Sequence, residues 1–415
     1  MTETVTRNTD RSLPRAALKS GDVSRGGRGR VHSMPPILHY GFRPFFLLAA
    51  LHAGLAIPIW LGIYFGGYDV GGPFGGVQWH AHEMLFGYLF AVMAGFILTA
   101  VPNWTGRLPL SGLPLASLVS MWLAGRVACL TLSDPWHVMA VDLVFPATLA
   151  FAIWREVLAG RNWKNAPVAL MFTLFGFASA ADHLANVGLV EQGLGHRLAL
   201  AVAAMLIALI GGRIVPSFTR NWLVKEGASS LPASFGKLDK AALAVTAAAM
   251  VAWVLMPGST ASGLLLFAAG TLLAIRLMRW RVAAAVREPI LLVLHVGYGW
   301  LAAALAVLGL ATILPNVMPH SAALHALTAG AVGTMTLAVM TRASLGHTGR
   351  TIVADAYVLA MYAMVTAGAL LRVAAPFAGD WYPHVLTGGG VLWAGAFLTF
   401  AIRYAPVLFG KVRRP

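Results

Sequence analysis

Long apolar runs recur along almost the whole chain and limit it to one kind of fold. A hydrocarbon core about 30 Å thick needs about 20 apolar residues per helix. Because a backbone in lipid must satisfy its own hydrogen bonds, runs of this length become helices. Only 11% of the 415 residues are charged, against roughly 25% in soluble domains. The sequence therefore predicts an all-α, polytopic membrane bundle of about twelve transmembrane helices, at residues 43–65, 79–101, 113–132, 138–158, 167–190, 194–215, 239–256, 261–280, 290–313, 321–341, 352–373 and 385–408.

Basic residues are distributed unevenly between the two sets of loops. If the N-terminus is inside, 27 of the 30 Lys and Arg residues lie on inner segments, and Arg126, Arg197 and Arg372 alone lie outside. Cytoplasmic loops of membrane proteins are enriched in Lys and Arg. The pattern predicts that both termini are cytoplasmic. The basic inner loops also account for the net charge of +15. We therefore expect the lipid bilayer as a partner and no nucleic acid.

The chain divides into a tail and one membrane domain. Residues 1–36 are polar, basic and rich in Gly and Ser, which predicts a disordered cytoplasmic tail rather than a secretory signal. Residues 37–410 are expected to form a single transmembrane domain. Cys129 is the one cysteine, so an internal disulfide, a thiolate cluster and a c-type haem attachment motif are excluded.

Histidines concentrate at the predicted outer edge of the membrane. At about 1.5 Å per residue, those on helices 2, 5, 6 and 10 share a layer roughly 10 Å thick. Imidazoles in lipid are costly and tend to be functional, and several at one depth suit a haem or a copper ion. The predicted metal ligands are His80, His82, His183 and His325, with His196 in reserve. By contrast, a histidine near a helix end is often an interfacial group, the reading we favour for His137 and His384, while His52 is equally open to packing and to function.

Two acidic residues accompany these histidines. In WHAHE (79–83), a helix places His80 and Glu83 on one face and turns His82 away, so Glu83 can orient an imidazole or carry protons. Asp182 precedes His183 and needs a partner at this depth.

Either Arg126 or Arg197 can be the partner of Asp182. These two arginines can instead bind haem propionates, because a guanidinium fork matches a carboxylate. A buried structural ion pair is the equally open alternative. At the inner side, RASLGHTGR (342–350) suggests an anion cradle or a loop that faces anionic lipid. His295 lies roughly 25 Å from the outer layer, so with His347 it can serve only a separate inner site.

Several long motifs resemble the NnrS family, in the family's order, over about residues 37–410. They are YGFRPFF (40–46), WHAHEMLFGY (79–88), GFILTAVPNWTGR (95–107), GGRIVPSFTRNW (211–222) and HALTAGAVGTMTLAVMTRASLGHTGR (325–350). The resemblance implies a twelve-helix protein of the bacterial inner membrane that contains haem, expected to be b-type, and copper. It further implies a link to nitric oxide tolerance, and hence to nitrosative stress and denitrification.

Three functions are compatible with these features. The first is a nitric oxide reductase-like oxidoreductase, with Glu83 and Asp182 as proton carriers. Its electron donor would dock from outside, because one cysteine leaves no iron–sulfur relay. The second is a metal-binding protective or sensor protein without turnover. The third is a twelve-helix transporter.

Overall fold

The computed structural model describes residues 34–68 and 72–412, so most of the predicted tail, residues 1–33, lies outside the described residues. Within these ranges, twelve helices are long and apolar enough to cross a membrane. They are α1 (Phe42–Gly66), α2 (Gly76–Pro102), α3 (Leu113–Thr131), α4 (Pro135–Ala159), α5 (Trp163–Asn186), α6 (Leu194–Lys225), α7 (Lys237–Leu255), α8 (Thr260–Met278), α9 (Pro289–Ile313), α10 (His320–Gly346), α11 (Ala356–Phe377) and α12 (Gly379–Phe409). The described ranges contain no β-strand. The predicted all-α bundle is therefore confirmed.

The helices begin and end where the sequence supplies capping groups. Asp134, Ser259 and Asp355 precede α4, α8 and α11, and the side chain of each accepts a hydrogen bond from a backbone N–H of the first turn. Such caps satisfy donors that a helix cannot pair internally. Gly67 ends α1 with φ 67°, a left-handed conformation that glycine adopts without strain. These signals confine each apolar run to one helix.

Four helices form the centre of the bundle. The buried share of the most apolar stretch is 78% in α2, 67% in α10 and 61% in both α6 and α9, higher than in the other spans. Around them, α8 packs on α9, α5 on α6, and α12 on both α11 and α1. Three of the central helices, α2, α6 and α10, carry predicted metal ligands, and most of the apolar stretch of each is buried against other helices.

Three of the central helices contain a π-helical segment. The segments are Glu83–Leu89 in α2, Ile207–Gly211 in α6 and Ala326–Val332 in α10. Insertions of this kind change the rotation of a helix and are frequent at functional sites. Two of them begin directly after a histidine, His82 and His325. The polar first turns of α2 and α10 are therefore rotated about the helix axis relative to the apolar residues that follow them.

Candidate metal centre

His80 and His82 lie on opposite sides of α2. The His80 ring stacks on Trp60 of α1, with ring centroids 4.4 Å apart. Glu83 also faces α1, where its Oε2 lies 2.9 Å from His52 Nε2. His82 is fully buried and turns towards α4 and α5. Residues two apart on a helix must diverge in this way, so His80 and His82 belong to different clusters.

The first cluster, the imidazole pair, consists of His80 and His325. Their rings are nearly parallel, with an interplanar angle of 8° and centroids 6.4 Å apart. Both line a cavity of about 560 Å³ between α1, α2, α6, α10, α11 and α12. Its walls also include Trp60, Tyr88, His196, Arg372 and Trp393. A largely apolar cavity of this volume suits a cofactor-sized ligand that is fixed by a few polar groups.

The pair has the nitrogen chemistry that metal ligands need. His325 Nδ1 lies 2.7 Å from the Ser321 carbonyl oxygen, so its N–H donates there and Nε2 keeps its lone pair. His80 Nδ1 is buried without a hydrogen-bond partner among the described residues. A metal lies about 2.0–2.1 Å from an imidazole nitrogen. The 6.4 Å separation of the two ring centroids is therefore large enough for a metal between them.

Arg372 of α11 is the cation of this cavity. Its Nη1 is buried without a hydrogen-bond partner within residues 34–68 and 72–412. The sequence suggested Arg126 and Arg197 for binding a carboxylate-bearing cofactor. The structure places Arg126 in the second cluster and Arg197 Nη2 2.9 Å from Glu191, which is largely exposed. Arg372 is therefore the arginine whose position suits an acidic ligand in the cavity.

The second cluster, the polar network, joins α1 to α6 through side chains. Its members are His52, His82, Glu83, Arg126, Asp142, Asp182, His183 and His196. Arg126 is its centre, because Nη1 donates to Glu83 Oε1 at 2.7 Å and Nη2 donates to Asp142. Glu83 extends the network to His52 of α1. Arg126 thus neutralises two buried carboxylates, neither of them Asp182.

Asp182 holds the other end of the polar network. Its Oδ2 lies 2.8 Å from His82 Nδ1, and its Oδ1 lies 2.8 Å from His196 Nε2. His82 connects in turn to Asp142. Because His196 also lines the cavity, an unbroken series of polar contacts runs from the cavity of the imidazole pair to α1.

The polar network contains more acid than base. It has three carboxylates and one guanidinium, so with neutral imidazoles its net charge is −2. Uncompensated charge at this depth is expensive. Protons on the imidazoles or a bound metal cation can supply the missing positive charge. The arrangement therefore has the charge to hold a cation.

Two groups of three buried residues could hold a metal ion: His82 with Glu83 and Cys129, and His82 with Asp142 and His183. The second group contains two imidazoles. The Nε2 atoms of both histidines approach the same Asp142 Oδ2, at 3.2 Å and 3.0 Å, and all three residues are buried. Ligand atoms about 2.0–2.1 Å from a metal lie about 3 Å from one another. The contact of His82 Nδ1 with Asp182 is the kind that orients a metal-binding imidazole. Two imidazoles and a carboxylate suit iron, copper or zinc.

The remaining histidines separate by location. His137 and His384 are exposed and lie outside both clusters. His295 is buried towards the other end of the bundle, where its Nε2 lies 3.3 Å from Thr219 Oγ1. His347, also at that end, is exposed and contacts the Phe42 ring. His52, for which the sequence left packing and function equally open, belongs to the polar network.

Two residues with prominent positions were not among the predicted site residues. Asp142 accepts from Arg126 and contacts both His82 and His183, and Arg372 lines the cavity. Each is a charged residue isolated in an apolar run, which is the available sequence signal. That signal predicts how deep in the membrane a charged residue lies, but not which residues it contacts.

Comparison with known proteins gives one match. The family described as NnrS protein matches residues 36–411, nearly the whole chain. No curated protein matches the chain. The family match agrees with a multi-pass membrane protein, as do the twelve apolar helices.

Proposed function

Because the chain belongs to the NnrS family, we propose that it is a haem- and copper-binding membrane protein that binds nitric oxide and reduces it. The observation that carries the proposal is the imidazole pair. His80 and His325 line the same cavity of about 560 Å³, with nearly parallel rings whose centroids lie 6.4 Å apart, and imidazole is a common ligand of haem iron. The His82–Asp142–His183 group supplies a second set of metal ligands nearby.

The residues around the cavity have distinct roles in this proposal. His80 and His325 would hold the haem iron, and Trp60 stacks on the His80 ring and fixes its plane. Arg372 receives a propionate, for which its unpartnered Nη1 is suited. When bound, the haem supplies electron exchange and a place for nitric oxide to coordinate. The chain itself contributes orientation, an apolar cavity and the exclusion of water.

The polar network supports both a second metal and proton supply. His82 and His183 would hold copper together with Asp142, and Asp182 keeps the His82 ring oriented. Reduction of two nitric oxide molecules to nitrous oxide and water consumes two electrons and two protons. Asp182 and Glu83 hold protons along the series of contacts that ends at the cavity.

The charge pattern supports a periplasmic-side position of this site in the bacterial inner membrane. Nitric oxide is small and uncharged, so it reaches an intramembrane site through the lipid. Electrons come from a separate donor that docks at the same end of the bundle, because the chain has one cysteine and therefore no iron–sulfur relay of its own.

One observation favours a second candidate function, metal binding without turnover. His80 and His325 line the same cavity, so if both were to hold one metal, they would leave fewer ligand positions for nitric oxide. A protein of that kind stores electrons, protects the cell against nitric oxide or senses nitric oxide. Consumption of nitric oxide in the presence of a reductant separates the two functions.

The testing experiment measures haem, copper and optical spectra of the purified protein and of four alanine variants. We expect His80→Ala and His325→Ala to lose or alter the haem signal. His82→Ala and His183→Ala should lose the copper signal and leave the haem bound. The two pairs of variants should differ in this way because His80 and His325 are proposed to hold haem, whereas His82 and His183 are proposed to hold copper.

The matched controls are His137→Ala and His384→Ala. Both histidines are exposed and lie outside the clusters, so both variants should retain both metals. Full haem, full copper and undiminished nitric oxide consumption in all four cluster variants would place the site elsewhere.

A further inference from the structure

A basic pocket lies at the end of the bundle opposite the metal clusters. It has a volume of about 450 Å³ and lies between the C-terminal half of α6, the loop before α7 and the end of α8. Its polar lining comprises Arg213, Ser217, Arg220, Ser234 and Arg276. Part of it is formed by the motif GGRIVPSFTRNW, which the metal centre does not use.

Two arginines of this pocket carry uncompensated charge. Arg213 and Arg220 are seven residues apart, two turns of α6, and Ser217 lies between them on the same face. Both arginines are exposed. Neither has a hydrogen bond or ion pair within the part of the chain that the structure describes. They are therefore available to an anion.

The third arginine fixes the floor of the pocket. Arg276 is 1% exposed, and its Nε donates to Asp239 Oδ1 at 2.8 Å. Its Nη1 donates to the carbonyl oxygen of Ala208 at 2.9 Å, and its Nη2 to that of Gly212 at 3.3 Å. These carbonyls lie in and beside the π-helical segment of α6. Arg276 thereby holds the turn of α6 from which Arg213 projects.

The depth of the pocket corresponds to the headgroup region of a bilayer. Counted from Leu194, Arg213 lies about 28 Å and Arg220 about 39 Å along α6. These positions bracket the edge of a hydrocarbon core about 30 Å thick. Trp222, half-buried one turn from Phe218, lies where tryptophan is enriched in membrane proteins. A ligand in this pocket can therefore keep acyl chains in the core.

We propose that this pocket binds the phosphate of an anionic phospholipid, with Arg213 and Arg220 as the phosphate ligands. Guanidinium groups match phosphate oxygens, and basic pockets between transmembrane helices bind anionic lipid headgroups. The two serine hydroxyls can donate to the remaining oxygens. The site goes beyond the proposed nitric oxide chemistry and does not depend on bound metal.

The test uses the full-length protein, delipidated in detergent and titrated with phosphatidylglycerol, phosphatidylcholine or inorganic phosphate. Native mass spectrometry measures binding, and thermal unfolding measures stabilisation. We expect phosphatidylglycerol to bind and to raise the Tm more than the other two ligands. The Arg213→Gln/Arg220→Gln variant should bind phosphatidylglycerol roughly 30-fold more weakly, at about fivefold per basic residue.

The matched controls are Lys225→Gln, on the same helix beyond the pocket, and Arg287→Gln, an exposed arginine elsewhere at this end. Both should bind phosphatidylglycerol as the wild type does. Equal binding by the double arginine variant overturns the proposal, as does equal binding of phosphatidylcholine. If inorganic phosphate binds as tightly as the lipid, the ligand is a free phosphate and the lipid assignment is wrong. Unchanged elution on size exclusion verifies that each variant is folded.

Discussion

Among the residues of the polar network, Arg126 has the greatest electrostatic consequence. It is the one cation among three carboxylates, and it is almost completely buried against Glu83 and Asp142. A paired ion in a low-dielectric interior gains little net stability, but removal of one partner leaves the other charge unpaired. The arginine is therefore hard to replace whether or not the site is catalytic.

We expect Arg126→Leu to lower stability by about 3–5 kcal/mol, because two buried carboxylates lose their guanidinium. Arg197→Leu is the matched control. Arg197 pairs with Glu191, whose side chain is 67% exposed, and such pairs contribute about 0–1 kcal/mol. Thermal unfolding in detergent and the yield of purified protein measure both. Equal Tm values for the two variants would contradict the central role of Arg126.

At this scale the sequence predicted residue types better than residue partners. Burial depth follows from position in an apolar run, so His82, Glu83 and Asp182 were identifiable as costly groups in a membrane. Which of these residues contact one another depends on how the six helices α1 to α6 pack. Arg126 contacts Asp142, sixteen residues away on the next helix, whereas Asp182 contacts two histidines. No spacing rule within one helix contains that information.

At the scale of elements, the twelve helices were predictable and the π-helical segments were not. A run of about 20 apolar residues has few alternatives in lipid, and all twelve predicted spans coincide with helices of the structure. A π-helical segment depends on packing between helices. In α2, the segment Glu83–Leu89 contains Gly87, which lies against the ends of His52, Glu83 and Arg126. The polar network approaches the backbone there.

Gly87→Ala tests this close approach. An added Cβ would lie 2.6 Å from His52 Nε2 and 3.1 Å from Arg126 Nη1, so the network must move. We expect a loss of about 1–3 kcal/mol, as for other overpacked interiors. Gly388→Ala in α12 is the control, since its Cβ would meet only Leu371 Cδ1 at 3.8 Å. Thermal unfolding should show destabilisation at position 87 and none at 388; the reverse order would refute the packing argument.

At the scale of the whole molecule, the two ends of the bundle differ in chemistry. One half of the bundle holds the imidazole pair and the polar network, towards the N-terminal ends of α2, α4, α6 and α10 and the C-terminal ends of α3 and α5, with His52 near the middle of α1. The other end holds the arginine pocket of α6, α7 and α8. Acid–imidazole chemistry and phosphate recognition are thereby separated by the thickness of a membrane, and the orientation of the chain decides which compartment each faces.

The distribution of Lys and Arg predicts that orientation. The sequence assigns 27 of the 30 to the predicted inner segments, so the positive-inside rule predicts that the imidazole pair and the polar network lie on the periplasmic side. Gly258→Cys, in the exposed turn between α7 and α8, should react with a membrane-impermeant maleimide in intact cells. Ser230→Cys, in the exposed loop between α6 and α7, should react only after lysis. The native Cys129 is buried and gives little background. Labelling at position 230 but not at 258 in intact cells would contradict this orientation, because the imidazole pair and the polar network would then lie on the cytoplasmic side.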